Sequence, residues 1–266
     1  MIVISPTSNW LRQTLNQCQL SVEAASPYVG GYLADMLGDL DSSVRITLLT
    51  RTLMTDFASG ASDLDAVIAI ARKAGGVLSL GALHAKVYVV DRKIALVTSA
   101  NGTYSGLRQN RECGLLTNNP SEIGALSEHI QKGFGSSPVP QRWQVPDLEA
   151  LRPGVESLKR LLPKLKGMAA ASEQPPKLEL NRRELAAITT SLPGWLGLAW
   201  QGISTIQATH FTMEEATLSC ASLIRETYPS NQHPRAKLRQ QMQRLRDLGL
   251  VNFLGKGSYE LMIRAR

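Results

Sequence analysis

Apolar and polar positions alternate along residues 1–140 with two different periods. Short β-branched or apolar runs predict strands, and amphipathic segments of helical spacing lie between them. Because this alternation builds a sheet covered by helices, we expect an α/β domain. The predicted helices cover residues 10–20, 28–37, 64–73 and 121–132, and the predicted strands cover residues 44–49, 77–80, 85–90, 94–98 and 113–117.

Two turn-rich stretches, residues 133–140 and 167–176, interrupt this pattern. Their glycine, serine, alanine and proline content is typical of linkers. Between them, an apolar stripe at helical spacing predicts one amphipathic helix, interrupted near Pro163. We therefore predict a domain at residues 1–140, a helical linker at residues 141–180 and a second domain at residues 181–266.

Beyond Pro176 the pattern changes to short helices followed by a hairpin. Thr212 and Glu215 have the spacing of a capping box, which predicts a helix that ends near Glu226. Pro234 then favours the first turn of a further helix. That helix is predicted over residues 235–248, and two hairpin strands over residues 250–254 and 258–263. Two helices and a basic hairpin outline a winged helix-turn-helix domain.

The net charge of +7 is unevenly distributed. Residues 1–140 hold 11 basic and 11 acidic side chains, so the whole excess lies in residues 141–266. A basic half joined to a neutral half indicates a module that binds a polyanion, with a basic surface kept for solubility as the alternative.

Membrane and disulfide signals are missing from the sequence. There is no run of about 18 apolar residues for a membrane span and no secretory leader pattern. We therefore expect a cytoplasmic protein that does not associate with membranes. Cys18, Cys113 and Cys220 are odd in number and far apart, which indicates neither a disulfide framework nor a zinc site, and we expect them to be small core residues.

Polar residues suited to phosphodiester chemistry cluster in one stretch. His84 and Lys86 share a face of one predicted strand, so that imidazole and ammonium together form a cradle for phosphate. Ser99 and Asn101 can donate hydrogen bonds to non-bridging oxygens, and Glu112 can accept the second N–H of an imidazole. In the alternative, the histidine is a buried core residue and the lysine is solvated. The presence of the serine, the asparagine and the glutamate would then be coincidental.

These residues match the motif of a known protein family, and the similarity covers about residues 20–135. The chain resembles the phospholipase D superfamily, whose HKD motif corresponds here to His84-x-Lys86-x4-Asp91, Thr98-Ser99-x-Asn101 and Asn110-x-Glu112. Thr98 stands where the family pattern usually has glycine. Asp91 belongs to the motif, but five residues after Lys86 we favour a structural role for it, fixing a turn by local hydrogen bonds.

The resemblance implies a catalytic role for each remaining motif residue. His84 would attack phosphorus and form a phosphohistidine. Lys86, Ser99 and Asn101 would neutralise the charge that develops on the equatorial oxygens in place of a metal, so that no cofactor is needed. Glu112 would hold the imidazole in one tautomer.

The motif occurs once, although this chemistry needs a nucleophile and an acid for the leaving group. His129, His210 and His233 have no lysine two residues on, so none repeats the motif. Single-motif members of the superfamily are similar, and in them two subunits pair about a two-fold axis to form one site. The resemblance thus implies a homodimer with a shared active site.

The predicted helix over residues 235–248 carries Leu238, Met242, Leu245 and Leu248 on one face, which indicates its core side. The other faces and the hairpin tip carry side chains suited to DNA, and the predicted DNA-binding residues are Arg235, Lys237, Arg239, Gln240, Gln243, Arg244 and Lys256. A charged helix in a winged domain that contacts another protein is the alternative.

Residues 180–266 resemble the C-terminal winged-helix domain of Dpn-type and Dam-replacing restriction endonucleases. The similar residues include Tyr228-Pro229-x-Asn231-x-His233, the basic helix after them, and Phe253-Leu254-Gly255-Lys256-Gly257-x-Tyr259. The resemblance implies binding of duplex DNA, while any reading of adenine methylation stays open.

Together the two halves predict a metal-independent, homodimeric DNA endonuclease of the restriction type. A methyltransferase of the same system is an open candidate partner. Three alternatives remain at this point: an RNA nuclease, a lipid phosphodiesterase of the same superfamily, and a DNA-binding regulator with an inert core.

Overall fold

The computed structural model describes residues 1–135, 139–165, 178–192 and 194–265. The strands are β1 (Ile2–Ile4), β2 (Ser21–Ala25), β3 (Arg45–Thr50), β4 (Val77–Ser79), β5 (Val87–Val90), β6 (Ile94–Thr98), β7 (Cys113–Thr117), β8 (Gln141–Trp143), β9 (Leu178–Leu180), β10 (His210–Thr212), β11 (Val251–Gly255), β12 (Ser258–Leu261) and β13 (Ile263–Ala265). The helices are α1 (Thr7–Leu15), α2 (Gly31–Gly38), α3 (Met54–Ser59), α4 (Leu64–Ala74), α5 (Pro120–Lys132), α6 (Val145–Glu149), α7 (Arg152–Leu165), α8 (Arg182–Ser191), α9 (Gly194–Ile203), α10 (Met213–Thr227) and α11 (Pro234–Asp247).

The chain divides into two units, and neither is continuous in sequence. The first comprises Met1–Thr52 and Gly60–Leu148, and the second comprises Leu53–Ser59 and Glu149–Arg266. Parts of the predicted linker at residues 141–180 lie inside these units, because β8 extends the sheet of the first and α7 packs against α3 and α8 in the second. The turn-rich stretch predicted at residues 167–176 lies entirely outside the described residues.

An eight-stranded mixed sheet forms the first unit, in the order β1-β7-β6-β5-β2-β3-β4-β8. Strands β2, β3 and β4 are parallel, and the remaining neighbours are antiparallel. Because β5 runs against β2 and β6 against β5, the carboxyl end of β2, the start of β5 and the end of β6 lie at one edge. The predicted α/β class, a mixed sheet flanked by helices, is confirmed.

Helix α5 closes one face of this sheet. Its residues Ile123 and Ile130 are buried in a cluster with Val87 and Val89 of β5. Asn119 caps the helix by accepting from the N–H groups of Ser121 and Glu122, and Gly133 ends it in the left-handed conformation. The predicted helix over residues 121–132 is confirmed, as are the strands over residues 94–98 and 113–117.

The prediction of a helix over residues 10–20 is wrong at its carboxyl end. Helix α1 ends at Leu15, and the chain turns before the central strand β2. This strand was missed because its sequence, Ser-Val-Glu-Ala-Ala, is neither β-branched throughout nor alternating, although every residue in it is buried. Strand β5 also begins at Val87, so His84 and Lys86 precede it and do not lie within it.

Two further expectations need correction. Cys220 is a core residue as predicted, but Cys113 is exposed because it lies on an uncovered face of β7, and Cys18 is half-buried. Helix α7 continues through position 163 to Leu165, so the predicted interruption is absent among the described residues.

The second unit contains a winged helix-turn-helix, built from α9, β10, α10, α11, β11 and β12. The three strands form a sheet in the order β10-β12-β11. Thr212 and Glu215 form the predicted capping box at the start of α10. The predicted turn is also present, with Lys256 at a positive φ of 51° between two glycines of positive φ. This part of the predicted fold is confirmed.

In α11, the predicted core face is buried, with Leu238, Met242, Leu245 and Leu248 each fully covered. Gly202 of α9 lies so close to α10 that a Cβ there would stand 2.4 Å from the Cys220 sulfur, which explains the small residues at this crossing. Across the part of the chain that the structure describes, no helix is both long and apolar enough to cross a membrane.

Candidate active site and nucleic-acid interface

The motif residues meet at one edge of the large sheet. His84 and Lys86 precede β5, Ser99 follows β6, and Glu112 precedes β7. Since these three strands are antiparallel neighbours, the start of β5, the end of β6 and the start of β7 lie side by side. Residues separated by up to 28 positions in the sequence are thereby brought to one place.

Lys86 is buried against the backbone that carries His84. Its Nζ donates to the His84 carbonyl oxygen at 2.8 Å and lies 3.3 Å from Nε2 of the His84 ring. The Lys86 residue is only 8% exposed, whereas the His84 side chain is open to solvent. Burial lowers the pKa of Lys86, and the negative charge of Glu112 partly opposes that shift. Lys86 therefore lies within reach of both the His84 ring and the charge of Glu112.

Glu112 is the centre of a hydrogen-bond network. Its carboxylate accepts a very short hydrogen bond from the Ser99 hydroxyl and a 3.2 Å bond from Nδ2 of Asn110. Lys86 contributes the nearby positive charge. These are the partners of Glu112 within one chain, so the orientation of an imidazole by this carboxylate stays a prediction.

Ser5 joins the amino-terminal segment to this network, and sequence reasoning missed it. Its hydroxyl donates to the Asn110 carbonyl oxygen at 2.7 Å and accepts from the Glu112 N–H, and its own N–H donates to the Glu112 carbonyl oxygen at 3.1 Å. Ser5 thereby fixes the backbone at Asn110 and Glu112. No local pattern marks a serine that lies more than 100 residues from its partners.

Asn101 is held by close backbone packing. The chain forms a single π turn at Ser105–Gln109, and a Cβ on Gly106 would stand 2.5 Å from the Asn101 carbonyl oxygen. The amide oxygen of Asn101 is buried and has no hydrogen-bond partner among the described residues. An unpaired buried acceptor is costly, so this oxygen is suited to a hydrogen-bond donor on a bound molecule or a second chain.

Asp91 fixes the turn between α1 and β2. Its carboxylate accepts hydrogen bonds from the backbone N–H groups of Gln19, Leu20 and Ser21 and from the Cys18 thiol. Burial opposes the ionisation of Asp91, but these hydrogen bonds outweigh it and lower its pKa to about 2. Burial of Cys18 and its hydrogen bond with Asp91 raise the pKa of the Cys18 thiol to about 11.

Thr98, the departure from the usual family pattern, ties two strands together. Its hydroxyl donates to the Cys113 carbonyl oxygen at 3.1 Å and accepts from the Ala100 N–H at 3.2 Å. The threonine therefore supports the backbone that leads to Ser99 and Asn101. Among the described residues, no cluster of three or more histidine, cysteine, aspartate or glutamate side chains is arranged to hold a metal ion.

Helix α11 presents a polar surface in the second unit. Of the predicted DNA-binding residues, Arg235, Arg239, Gln240, Gln243 and Lys256 are exposed, and Lys237 and Arg244 are half-buried. The surface continues into a cavity of about 370 Å³ beside the start of the helix, lined by Asn231, Gln232, His233, Ala236, Lys237 and Gln240. Three of these lining residues, Asn231, Gln232 and His233, directly precede α11.

Protein-family models match two separate parts of the chain. Residues 11–136 match the model described as cardiolipin synthase, PLD-like domain, and residues 191–261 match the Dam-replacing HTH domain. The chain joins a phospholipase D-like domain to a Dam-replacing helix-turn-helix domain. The motif residues of the edge site all lie within the first match, and α11 lies within the second.

Solved structures with a phospholipase D-like domain resemble this chain at low identity. NucT from Helicobacter pylori is 18% identical over 50% of this chain and 92% of its own, with a TM-score of 0.41. Nuc from Salmonella typhimurium, a phospholipase D family member, is 16% identical over 54% of this chain and 97% of its own, with a TM-score of 0.44. Phosphatidylserine synthase from Haemophilus influenzae is 17% identical over 61% of this chain and 43% of its own, with a TM-score of 0.47. A comparison with curated proteins finds no match.

Proposed function

We propose that this protein is a metal-independent DNA endonuclease that cleaves phosphodiester bonds through a phosphohistidine. The observation that carries the proposal is the coupled group of His84, Lys86, Ser99 and Glu112 at one sheet edge of a phospholipase D-like domain. The Dam-replacing helix-turn-helix domain in the same chain favours DNA over lipid as the substrate.

The reaction proceeds in two displacements. An imidazole nitrogen of His84 attacks phosphorus, an N–P bond forms, and the P–O bond to the leaving strand breaks as a second imidazole protonates that oxygen. A water molecule then gives a proton to the second imidazole and attacks phosphorus, and the N–P bond breaks. Both histidines return to their starting state, and no oxidant or reductant is consumed.

Lys86, Ser99 and Asn101 stabilise the phosphoryl group during both steps. The Lys86 ammonium already lies beside the imidazole, so it is placed to offset the charge on the equatorial oxygens. The Asn101 Nδ2 group would donate to a phosphate oxygen, while its unpaired Oδ1 would accept from a donor on a second chain. In this proposal these protein groups stabilise the phosphoryl charge in place of a metal ion.

The second imidazole comes from another copy of the chain, in a homodimer that shares one site. An uncovered apolar face supports this part of the proposal: Ile2 and Ile4 of β1, Leu115 of β7 and Val97 of β6 are between 42% and 72% exposed. Ile2 pairs with Leu115 and Leu115 with Val97, so the face is continuous across three strands. The N–H of Ser99 donates to the Cys113 carbonyl oxygen, so this face borders the strand end that carries Ser99.

Subunit mixing tests the shared site. When wild-type protein is exchanged with increasing amounts of His84→Asn protein, cleavage should fall with the square of the wild-type fraction, because hybrid dimers lack one of the two imidazoles. A fall in simple proportion to that fraction would contradict the shared site. Leu115→Asp should yield a monomer in sedimentation, while Leu218→Asp, at an exposed position of α10, should leave the dimer unchanged.

The helix-turn-helix domain selects the target in this proposal. Exposed Arg239, Gln240 and Gln243 present guanidinium and amide groups along one side of α11, which are the groups that read base edges and phosphates in a major groove. Lys256 at the hairpin tip is placed for a neighbouring phosphate. Selection of a short target by this domain makes the enzyme restriction-like, with a methyltransferase as its natural counterpart.

Digestion in EDTA tests the function as a whole. Purified protein should cut duplex DNA without divalent metal, and sequencing of the ends from methylated and unmethylated genomic DNA should reveal a recurrent motif. Strict dependence on Mg²⁺ would overturn the mechanism. Faster cleavage of RNA, cleavage of phosphatidylcholine alone, or operator binding without cutting would each replace the DNA endonuclease by one of the alternatives.

A further inference from the structure

Two tyrosines and two arginines lie beside the catalytic group and have no role in the proposed chemistry. Tyr104 follows Asn101 by three residues and directly precedes the π turn at Ser105–Gln109. Arg108 lies in that turn, and Asn110, which binds Glu112, follows it. The segment therefore links Asn101 to Asn110 and Glu112, which are two parts of the edge site.

The two tyrosine rings support each other. The Tyr32 and Tyr104 rings meet edge to face, with centroids 5.5 Å apart and planes at 88°. The Arg12 guanidinium lies over the Tyr32 ring at 5.1 Å, and its Nε donates to the Tyr32 hydroxyl at 3.0 Å. Tyr104 nevertheless remains 52% exposed. Its ring is thus held in place but not covered.

Positive charge surrounds this pair of rings. Burial opposes ionisation of the Tyr32 hydroxyl, but the hydrogen bond and charge of Arg12 and the charge of Arg108 lower its pKa below the ordinary range. Arg12 and Arg108 are both exposed. Exposed aromatic rings with flanking arginines are the combination by which proteins hold unpaired nucleotides, because a ring stacks on any base and the cations follow the phosphates.

We propose that Tyr104, supported by Tyr32 and flanked by Arg12 and Arg108, binds an unpaired nucleotide next to the scissile phosphate. A base stacks on Tyr104, and its phosphate lies between the two arginines. The inference rests on the proposed nuclease function and extends it: the phospholipase D-like domain takes a DNA strand whose base is out of the duplex stack. A rigid ring loses little side-chain freedom on binding, which favours this use of Tyr104.

Binding of short single strands tests the inference in the full chain carrying His84→Asn, which cannot consume the probe. Two probes of ten nucleotides share the same phosphodiester backbone, one with natural bases and one with abasic units throughout. Tyr104→Ala should weaken binding of the natural strand about 10-fold, since stacking on an aromatic side chain contributes this much per base. Binding of the abasic strand should not change, and Tyr104→Phe should bind both probes as the parent protein does.

Arg108→Gln separates charge from stacking. This variant should bind both probes more weakly. It should also reduce the slope of log K against log salt by about 0.7, which is the contribution of one phosphate contact on a single strand. Equal affinity of Tyr104→Ala and the parent for the natural strand, or equal losses on both probes, would overturn the inference. Tyr104 is exposed, so thermal unfolding should confirm that its variants fold.

Cleavage distinguishes failure of this inference from failure of the proposed function. If protein with an intact His84 does not cut DNA, the nuclease proposal is wrong whatever Tyr104 binds. If it cuts DNA and Tyr104→Ala leaves KM for both single-stranded and duplex DNA unchanged, the nuclease proposal survives and the nucleotide site is wrong. The inference requires a raised KM in Tyr104→Ala with kcat changed by less than about 3-fold.

Discussion

The edge site of the phospholipase D-like domain and the α11 surface of the helix-turn-helix domain are built on opposite principles. In the edge site, most polar groups hold one another in place: Ser99 and Asn110 bind Glu112, Lys86 binds the His84 backbone, and Ser5 binds the segment between Asn110 and Glu112. On α11, exposed arginines and glutamines point into solvent from one regular helix.

This contrast indicates how each region tolerates change. A site whose members position one another depends on distances of a few tenths of an ångström, so one substitution should disable it. A surface that attracts a polyanion sums many weak contributions, so its losses should be graded. The following expectations, from the largest effect to the smallest, examine that difference.

The largest effect is expected at His84. His84→Asn removes the proposed nucleophile, so kcat should fall by about 10⁴-fold or more while affinity for DNA stays within about two-fold of the wild type. Single-turnover cleavage and equilibrium binding measure the two quantities separately. A variant that still forms a covalent phosphoenzyme, trapped by acid quench with labelled DNA, would place the nucleophile elsewhere.

Ser5 should behave as a positioning residue. Ser5→Ala removes the hydroxyl that holds the backbone at Asn110 and Glu112, so kcat should fall by about 10- to 100-fold with little change in KM. Steady-state kinetics check this split. Ser43→Ala, at an exposed turn of the same domain, is the matched control and should match the wild type. A loss of stability equal in both variants, with no loss of kcat, would reduce Ser5 to a structural role.

The pH dependence of cleavage should report the ionisation of Lys86. Burial lowers its pKa, so the ammonium becomes neutral at a lower pH than an exposed lysine, and cleavage should decline about 10-fold per pH unit once the pH rises above that lowered pKa. Lys86→Arg keeps the charge at every accessible pH, so the alkaline decline should disappear although the maximum rate falls. An alkaline decline that persists in Lys86→Arg would assign the titration to another group.

The smallest single effect is expected on α11. Arg239→Gln should weaken DNA binding by about 5- to 10-fold and lower the slope of log K against log salt by about 0.9, with kcat unchanged at saturating DNA. Arg225→Gln, at an exposed position of α10, makes the same change of charge and is the control. If both variants lose equal affinity, net charge and not the α11 surface governs binding.

The two domains also differ in how far their structures were predictable. The helix-turn-helix domain followed from local signals, since the capping box at Thr212, the apolar face of α11 and the glycine turn around Lys256 all have short range. In the phospholipase D-like domain the same local rules placed β6 and β7 correctly but extended α1 across the turn before β2. That strand is defined by its neighbours β3 and β5 and not by its own composition.

The sequence alone determined the chemistry that this protein carries: one histidine and lysine motif, the serine, asparagine and glutamate after it, and a basic winged helix. These are properties of residue type and spacing, and local periodicity encodes them. Only the tertiary structure decided that Glu112 binds Ser99 and Asn110, that Ser5 supports them, and that Tyr104 stands half-exposed on Tyr32. Such pairings join residues from distant parts of the chain, and strand order and packing specify them through many weak contacts that no short window contains.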